Sequence, residues 1–256
     1  MAGLNTIRTA AGTRSAEIDA GLRAHMNKVY ATMSIGMLLT ALAAWSISGL
    51  AVTDVPNGYQ ISANVYLTSF GVTIYTTALK WVIMFAPLAF VFGLSAMINK
   101  MSAATAQLVF YAFATVMGLS LSSIFLIYTA TSITQVFLIT AIAFAGLSLY
   151  GYTTKKDLSG MGTFLMMGVI GLIVAMVVNI FLQSSAMTFA ISAIGVLIFA
   201  GLTAYDTQKI KTTYLQMASS GDQEWLGKAA IMGALSLYLD FINMFIFMLQ
   251  LFGNRN

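Results

Sequence analysis

Val169-Ile170-Gly171-Leu172-Ile173-Val174-Ala175-Met176-Val177-Val178 carries neither a charge nor a side-chain hydrogen-bonding group. A strand crossing a membrane within a barrel alternates polar and apolar residues, and this run does not, so it reads as helix. The run lies inside a window without charge from Asp157 to Asp206. A helix needs about 20 apolar residues to cross ~30 Å of hydrocarbon, so the window holds two spans. The charge-free window from Lys100 to Lys155 holds two more. One each fits between Lys28 and Asp54, between Lys80 and Lys100, and from Lys228 to Arg255, where Asp240 is the single interruption. Seven helices result, over approximately 29–52, 81–98, 105–127, 134–152, 161–183, 188–205 and 229–252.

Composition agrees. Of 256 residues, 59% are hydrophobic and 8% charged, with a mean hydropathy of +0.87. Soluble domains are roughly 25% charged, which excludes a soluble enzyme or a disordered chain. The 2 prolines and 21 glycines argue against a collagenous or Pro-rich linker architecture. With 0 cysteines there is no disulfide, thiolate metal site or cysteine nucleophile. The fold class expected is an all-α integral membrane protein: a polar cytoplasmic tail over 1–28, then a seven-helix transmembrane domain over 29–256. The tail carries Glu17 and Asp19 among its basic residues and lacks the apolar core of a cleaved signal.

Lys and Arg favour the cytoplasmic side of short loops. With the N-terminus inside, only Lys80 and Arg255 of the 12 basic residues fall outside. The expected topology is therefore N-terminus cytoplasmic and C-terminus extracytoplasmic. It also accounts for a pI near 9.3 without nucleic-acid binding. The outer loop has a turn signal at Pro56-Asn57-Gly58, followed by a Tyr/Thr/Val-rich stretch that is either strand or interfacial segment. The inner loop has Ser219-Ser220-Gly221-Asp222, the expected start of a short helix leading into the last span. Small residues at Gly118, Ser122, Gly168, Gly171, Gly195, Ala200 and Ala204 suit close helix packing.

Few residues can carry chemistry. Asp240 lies near the middle of the last span, where an acid costs about 2.5–3.5 kcal/mol on insertion scales. Gly233, Ser236, Asp240, Asn243 and Gln250 share one helical face. Such a stripe must look toward protein or water, either as a hydrogen-bond network or as an ion or proton path. Asp206, in Tyr205-Asp206-Thr207-Gln208-Lys209-Ile210-Lys211, falls at the inner end of the sixth span. From the charge windows it lies about a turn from the surface, whereas Asp240 is ~18 Å from Lys228. The two can meet only through tilt, an early helical start near Trp225 or a break near Gly233. Two carboxylates that meet in a low-dielectric site cannot both ionise cheaply, so they share one proton and titrate as a unit. Deprotonated, they attract a hard cation such as Ca²⁺; protonated, they form a hydrogen-bonded latch.

Gly201-Leu202-Thr203-Ala204-Tyr205-Asp206-Thr207-Gln208-Lys209-Ile210 and Leu235-Ser236-Leu237-Tyr238-Leu239-Asp240-Phe241-Ile242-Asn243-Met244-Phe245 closely resemble the two signature segments of the Bax inhibitor-1 family. Lys155-Lys156-Asp157-Leu158-Ser159 and Leu251-Phe252-Gly253-Asn254-Arg255 look like its bacterial branch. The resemblance runs from about Met26 to Gly253. It implies two three-helix layers around a central C-terminal helix, and a pH-sensitive calcium leak in a bacterial plasma (inner) membrane. The family's sensor acids map onto Asp206 and Asp240, which are also the sites for a transient Ca²⁺. Family members can pair a basic residue at the inner end of the second helix with the sixth-helix acid. The candidate here is Lys100, which lacks an arginine's bidentate fork, with Asn243 and Ser236 as supporting polar residues. The acid that family members can carry within the second helix is absent here.

An intramembrane aspartyl protease is disfavoured, because Leu237-Tyr238-Leu239 precedes Asp240 where a Gly-x-Gly is required, and no enzymatic activity is expected. His25, the one histidine, reads as a solvated tail residue with no second histidine to share a metal. The 17 methionines, spread over the spans, read as packing. Asn179 and Gln183 read as interhelical hydrogen bonds. No cofactor is expected; the partners are the lipid bilayer and calcium or another cation, and the monomer is favoured. The alternative function is a membrane interaction protein that modulates a membrane protease or stress response without conducting ions.

Overall fold

The computed structural model describes residues 2–56, 59–62 and 65–256, with side chains for all of these but 2–17, 62 and 219. Long apolar windows become helices because hydrocarbon offers the backbone no other hydrogen-bond partner. Among the described residues, seven helices are long and apolar enough to cross a membrane. They are α1 (Ala2–Ala51), α3 (Leu79–Met97), α4 (Ala103–Leu121), α6 (Ala130–Thr153), α7 (Ser159–Leu182), α8 (Ser185–Met217) and α9 (Gln223–Phe252). The short α2 (Ser69–Thr76) lies in the connection between α1 and α3, and α5 (Ile124–Ile127) extends the α4 span to Ile127.

Local chemistry sets the helix starts. Ser102, Thr129, Ser184 and Asp222 each stand just before a span and accept a backbone N–H from its first turn, which satisfies a donor the helix cannot. At the start of α7, the Asp157 carboxylate accepts the Ser159 N–H at 2.9 Å, and the Ser159 hydroxyl together with that N–H holds its carboxyl below the usual range. Gln183, at φ 50°, ends α7 in a left-handed turn.

Packing divides the spans into two groups. α4 lies against α1 and α3, while α8 lies against α6 and α7. α9 packs on α8, α1, α6 and α4, and 72% of its most apolar window is buried, against 11–39% in the other spans. This is the expected arrangement of two three-helix layers around a central C-terminal helix. Polar and apolar contacts both fix that helix. Tyr238 sits edge-on to Phe110 and Phe113, and its hydroxyl meets Thr40 Oγ1 at 2.6 Å. Phe241 lies edge-on to Phe137 and Phe144.

Several boundaries differ from the sequence reading. The stretch 18–28 does not hang free as a tail. It is part of α1, with Leu22, His25 and Met26 buried. The sixth span does not stop at 205 but continues to Met217 and a single 3-10 turn over Ala218–Ser220, and the helix that Asp222 starts is the last span itself, from Gln223. Gly221, at φ 72°, makes the turn between the two. In the loop after α1, β1 (Val52–Thr53), β2 (Gln60–Ser62) and β3 (Val65–Leu67) form an antiparallel sheet in the order β1-β3-β2. The Tyr/Thr/Val-rich stretch is thus strand followed by α2. The turn expected at Pro56-Asn57-Gly58 lies partly outside the described residues.

At the opposite end from Lys155 and Lys209, the last residues fold back on the α5–α6 connection. Tyr128 and Arg255 form an antiparallel bridge. Thr129 N–H donates to Asn254 O at 3.0 Å, and Asn256 N–H to Ile127 O at 3.0 Å. Beside them, Tyr75 of α2 donates to Ser122 Oγ at 2.8 Å. Burial raises that phenol above its ordinary value, so it remains a donor.

Candidate functional site

The site lies where α8 and α9 run antiparallel. Ile210 faces Gly233, Gly195 faces Phe247, and Ser192 Oγ donates to Gln250 Oε1 at 2.7 Å. This register puts Asp206 level with Leu237 and Asp240 level with Thr203, so the acids lie about one helical turn apart along the axis. The depth conflict in the sequence reading came from ending the sixth helix at 205. With α8 extended to Met217, Asp206 lies three turns inside its helix. The two acids are thus neighbours across the α8–α9 interface, although no hydrogen bond joins them among the described residues.

Asp240 is 4% exposed, and its Oδ2 has no hydrogen-bond partner. One turn toward the lysine-rich end, a cavity of about 320 Å³ is lined by Asp206, Ser236, Gly233, Lys209, Lys228 and His25, among others. Asp206 is therefore the wall of the cavity and Asp240 lies beyond its floor. On the far side of Asp240, Phe137, Phe144, Phe241 and Phe245 fill the bundle, with ring centroids 5.4–6.0 Å apart.

The other expected site residues divide. Ser236 lines the cavity. Asn243 is half-buried and donates to Leu239 O in its own helix at 2.8 Å, and it makes no hydrogen bond to either acid among the described residues. Lys100 is exposed in the turn after α3 and takes part in no ion pair among the described residues; its neighbours Ile98 and Asn99 line the cavity instead. Asn179 braces the α7–α8 turn, donating to Thr188 Oγ1 and accepting the Ser184 N–H, while Gln183 is exposed.

His25 overturns its reading as a solvated residue. It is 8% exposed, its ring centroid lies 4.9 Å from that of Tyr214, and it borders the cavity. The signal was present in the 3-4 spacing of Leu22, Met26, Val29 and Met33, all of them buried. Trp225 and Lys228 also line the cavity and were not among the expected site residues; the early helical start near Trp225, one of the ways the acids could meet, is present, since α9 begins at Gln223.

Chemically, the site offers two carboxylates and nearby hydroxyls. Among the described residues no group of three or more His, Asp or Glu gathers. A resident Ca²⁺ takes six to eight oxygen ligands, so this set suits a passing cation better than a held one.

A family model described as the inhibitor of apoptosis-promoting Bax1 matches residues 22–256. The chain is 45% identical to the inner membrane protein YbhL of Escherichia coli K12, covering 92% of this chain and 94% of that one. It is 44% identical to an uncharacterized protein of Caulobacter vibrioides (93% and 91% covered) and 34% identical to an uncharacterized membrane protein of Streptococcus pyogenes (93% and 96% covered). The matched region takes in both acids and nearly all of the described bundle, so the chain belongs to the Bax inhibitor family.

Proposed function

We propose that this protein is a pH-sensitive cation leak of a bacterial inner membrane, with calcium as the expected ion, gated by proton exchange on the Asp206–Asp240 pair. The reading rests most on one observation: a buried carboxylate oxygen on the central helix has no partner, one turn beyond a cavity walled by a second acid. With the pair protonated, the aromatic layer beyond Asp240 stays packed and the path is closed. Loss of the proton puts two negative charges together in a low-dielectric site, which favours separation of α8 from α9 and draws in a cation. The other groups facing the cavity are cationic or neutral: Lys209, Lys228 and His25. They raise the cost of cation entry at the mouth when charged. Lys100 is proposed as a secondary modulator at that mouth, and N-inside topology places the mouth on the cytoplasmic face.

Calcium flux from the purified protein in liposomes, measured across pH, tests the reading. Wild type is expected to pass calcium with a pH dependence that Asp206→Asn and Asp240→Asn each abolish. Absence of flux above empty vesicles at every pH overturns it and leaves the interaction role, with a membrane protease or stress-response partner, as the surviving alternative.

A further inference from the structure

A second cavity, of about 510 Å³, lies between α1 and α6 and is lined by Arg23, Asn27, Tyr30, Ala145, Ser148 and Tyr152, among others. The two helices belong to opposite three-helix layers, and what holds them together at this level is a chain of hydroxyls. Tyr30 OH meets Ser148 Oγ at 2.6 Å, and Ser148 Oγ meets Thr207 Oγ1 at 2.9 Å. The groove therefore sits on the seam between the layers. Its inner polar atoms are occupied, and its walls include Met26, Ala145 and Leu149, so it offers a hydrocarbon slot rather than a water-filled one.

The groove carries one basic side chain, Arg23, at its rim. Arg23 is exposed and pairs with no carboxylate among the described residues; Asp19, one turn away, is the nearest acid along its helix. Lys211, which lines a neighbouring cavity, adds positive charge behind the groove wall: its Nζ donates to the Tyr152 carbonyl at 2.7 Å and stands 5.2 Å from the Tyr152 ring centroid. A cationic rim over an apolar slot between two membrane spans is complementary to an anionic amphiphile. Basic pockets between spans bind phospholipid headgroups in this way. We infer that the α1–α6 groove is a binding site for an anionic phospholipid, its phosphate on Arg23 and one acyl chain lying along Ala145 and Leu149 over the Tyr30–Ser148 contact.

Native mass spectrometry of the full-length purified protein tests this, with phosphatidylglycerol and phosphatidylcholine of identical acyl chains as probes. Wild type is expected to retain phosphatidylglycerol about fivefold better, the worth of one basic residue near an anionic headgroup. Arg23→Gln should erase that preference. Ala145→Phe, which fills the slot from its exposed wall, should reduce retention of phosphatidylglycerol while leaving Arg23 in place. Glycerol phosphate, which has the headgroup chemistry without chains, should not compete at equal concentration. Equal retention of the two lipids by wild type, or wild-type retention by both variants, overturns the site. Competition by glycerol phosphate as strong as that of the lipid overturns the acyl-chain part. The variants leave Asp206 and Asp240 untouched, so the outcome is independent of the leak.

Discussion

At the residue scale, Asp240 sets function against stability. A buried polar atom without a partner costs about 1–3 kcal/mol, and Oδ2 of Asp240 is such an atom. Asp240→Leu, close in size and apolar, is expected to raise the unfolding midpoint of the purified protein by the equivalent of about 1–2 kcal/mol while removing the pH response of the flux. A lowered midpoint would mean that the carboxylate supports the bundle. Tyr238, two residues away, is the opposite case. Thr40 Oγ1 has one proton, directed at the Ala114 or Gly36 carbonyl, so the Tyr238 hydroxyl donates to Thr40. Tyr238→Phe should cost about 1 kcal/mol in the same melting experiment and leave the flux pH profile in place. Asp240 was legible in the sequence because an acid in an apolar run has no ordinary explanation. The Thr40–Tyr238 bond was not, since its partners lie 198 positions apart and each looks unremarkable in its own helix.

At the scale of elements, helix ends decided whether the acids could meet. Counting charges stopped the sixth span at 205, because Asp206, Lys209 and Lys211 look like an interface. The helix instead runs on to Met217 because Thr207, Ile210 and Tyr214 keep the 3-4 spacing and are buried. The charged side chains share a helix whose other face is packed. Close helix crossings were legible only in part. Gly118 meets the Thr40 backbone, and Gly151 the Ala204 backbone, so closely that neither leaves room for a Cβ, whereas Gly171 has open space around it. Gly151→Ala is expected to destabilise the α6–α8 crossing by about 1–3 kcal/mol, as overpacking does. Gly171→Ala should be neutral or slightly stabilising. Comparable unfolding midpoints for the two variants would contradict the crossing.

For the whole molecule, two layers hold one helix that is buried over most of its length, and this is what permits an acid at Asp240 in a bundle otherwise built of apolar spans. The bundle is closed at one end by the C-terminal residues on Tyr128 and open to the acid-walled cavity at the other. The chain contains no cysteine, so single cysteines report sidedness without background. In intact spheroplasts a membrane-impermeant maleimide is expected to label Asn254→Cys, and to reach Ser159→Cys only after lysis. The reverse pattern would invert the proposed topology and put the cavity mouth outside.

Seven spans, their helical character and the oddity of an acid in the last one were determined by the sequence, because hydrocarbon thickness and the cost of an unbonded backbone act on each segment separately. The central position of α9, the nearness of Asp206 to Asp240, the burial of His25 and the groove between α1 and α6 were decided only by the tertiary structure. Each depends on register and layer order between helices. In a membrane these are set by which small residues let backbones approach, and no single segment carries that information.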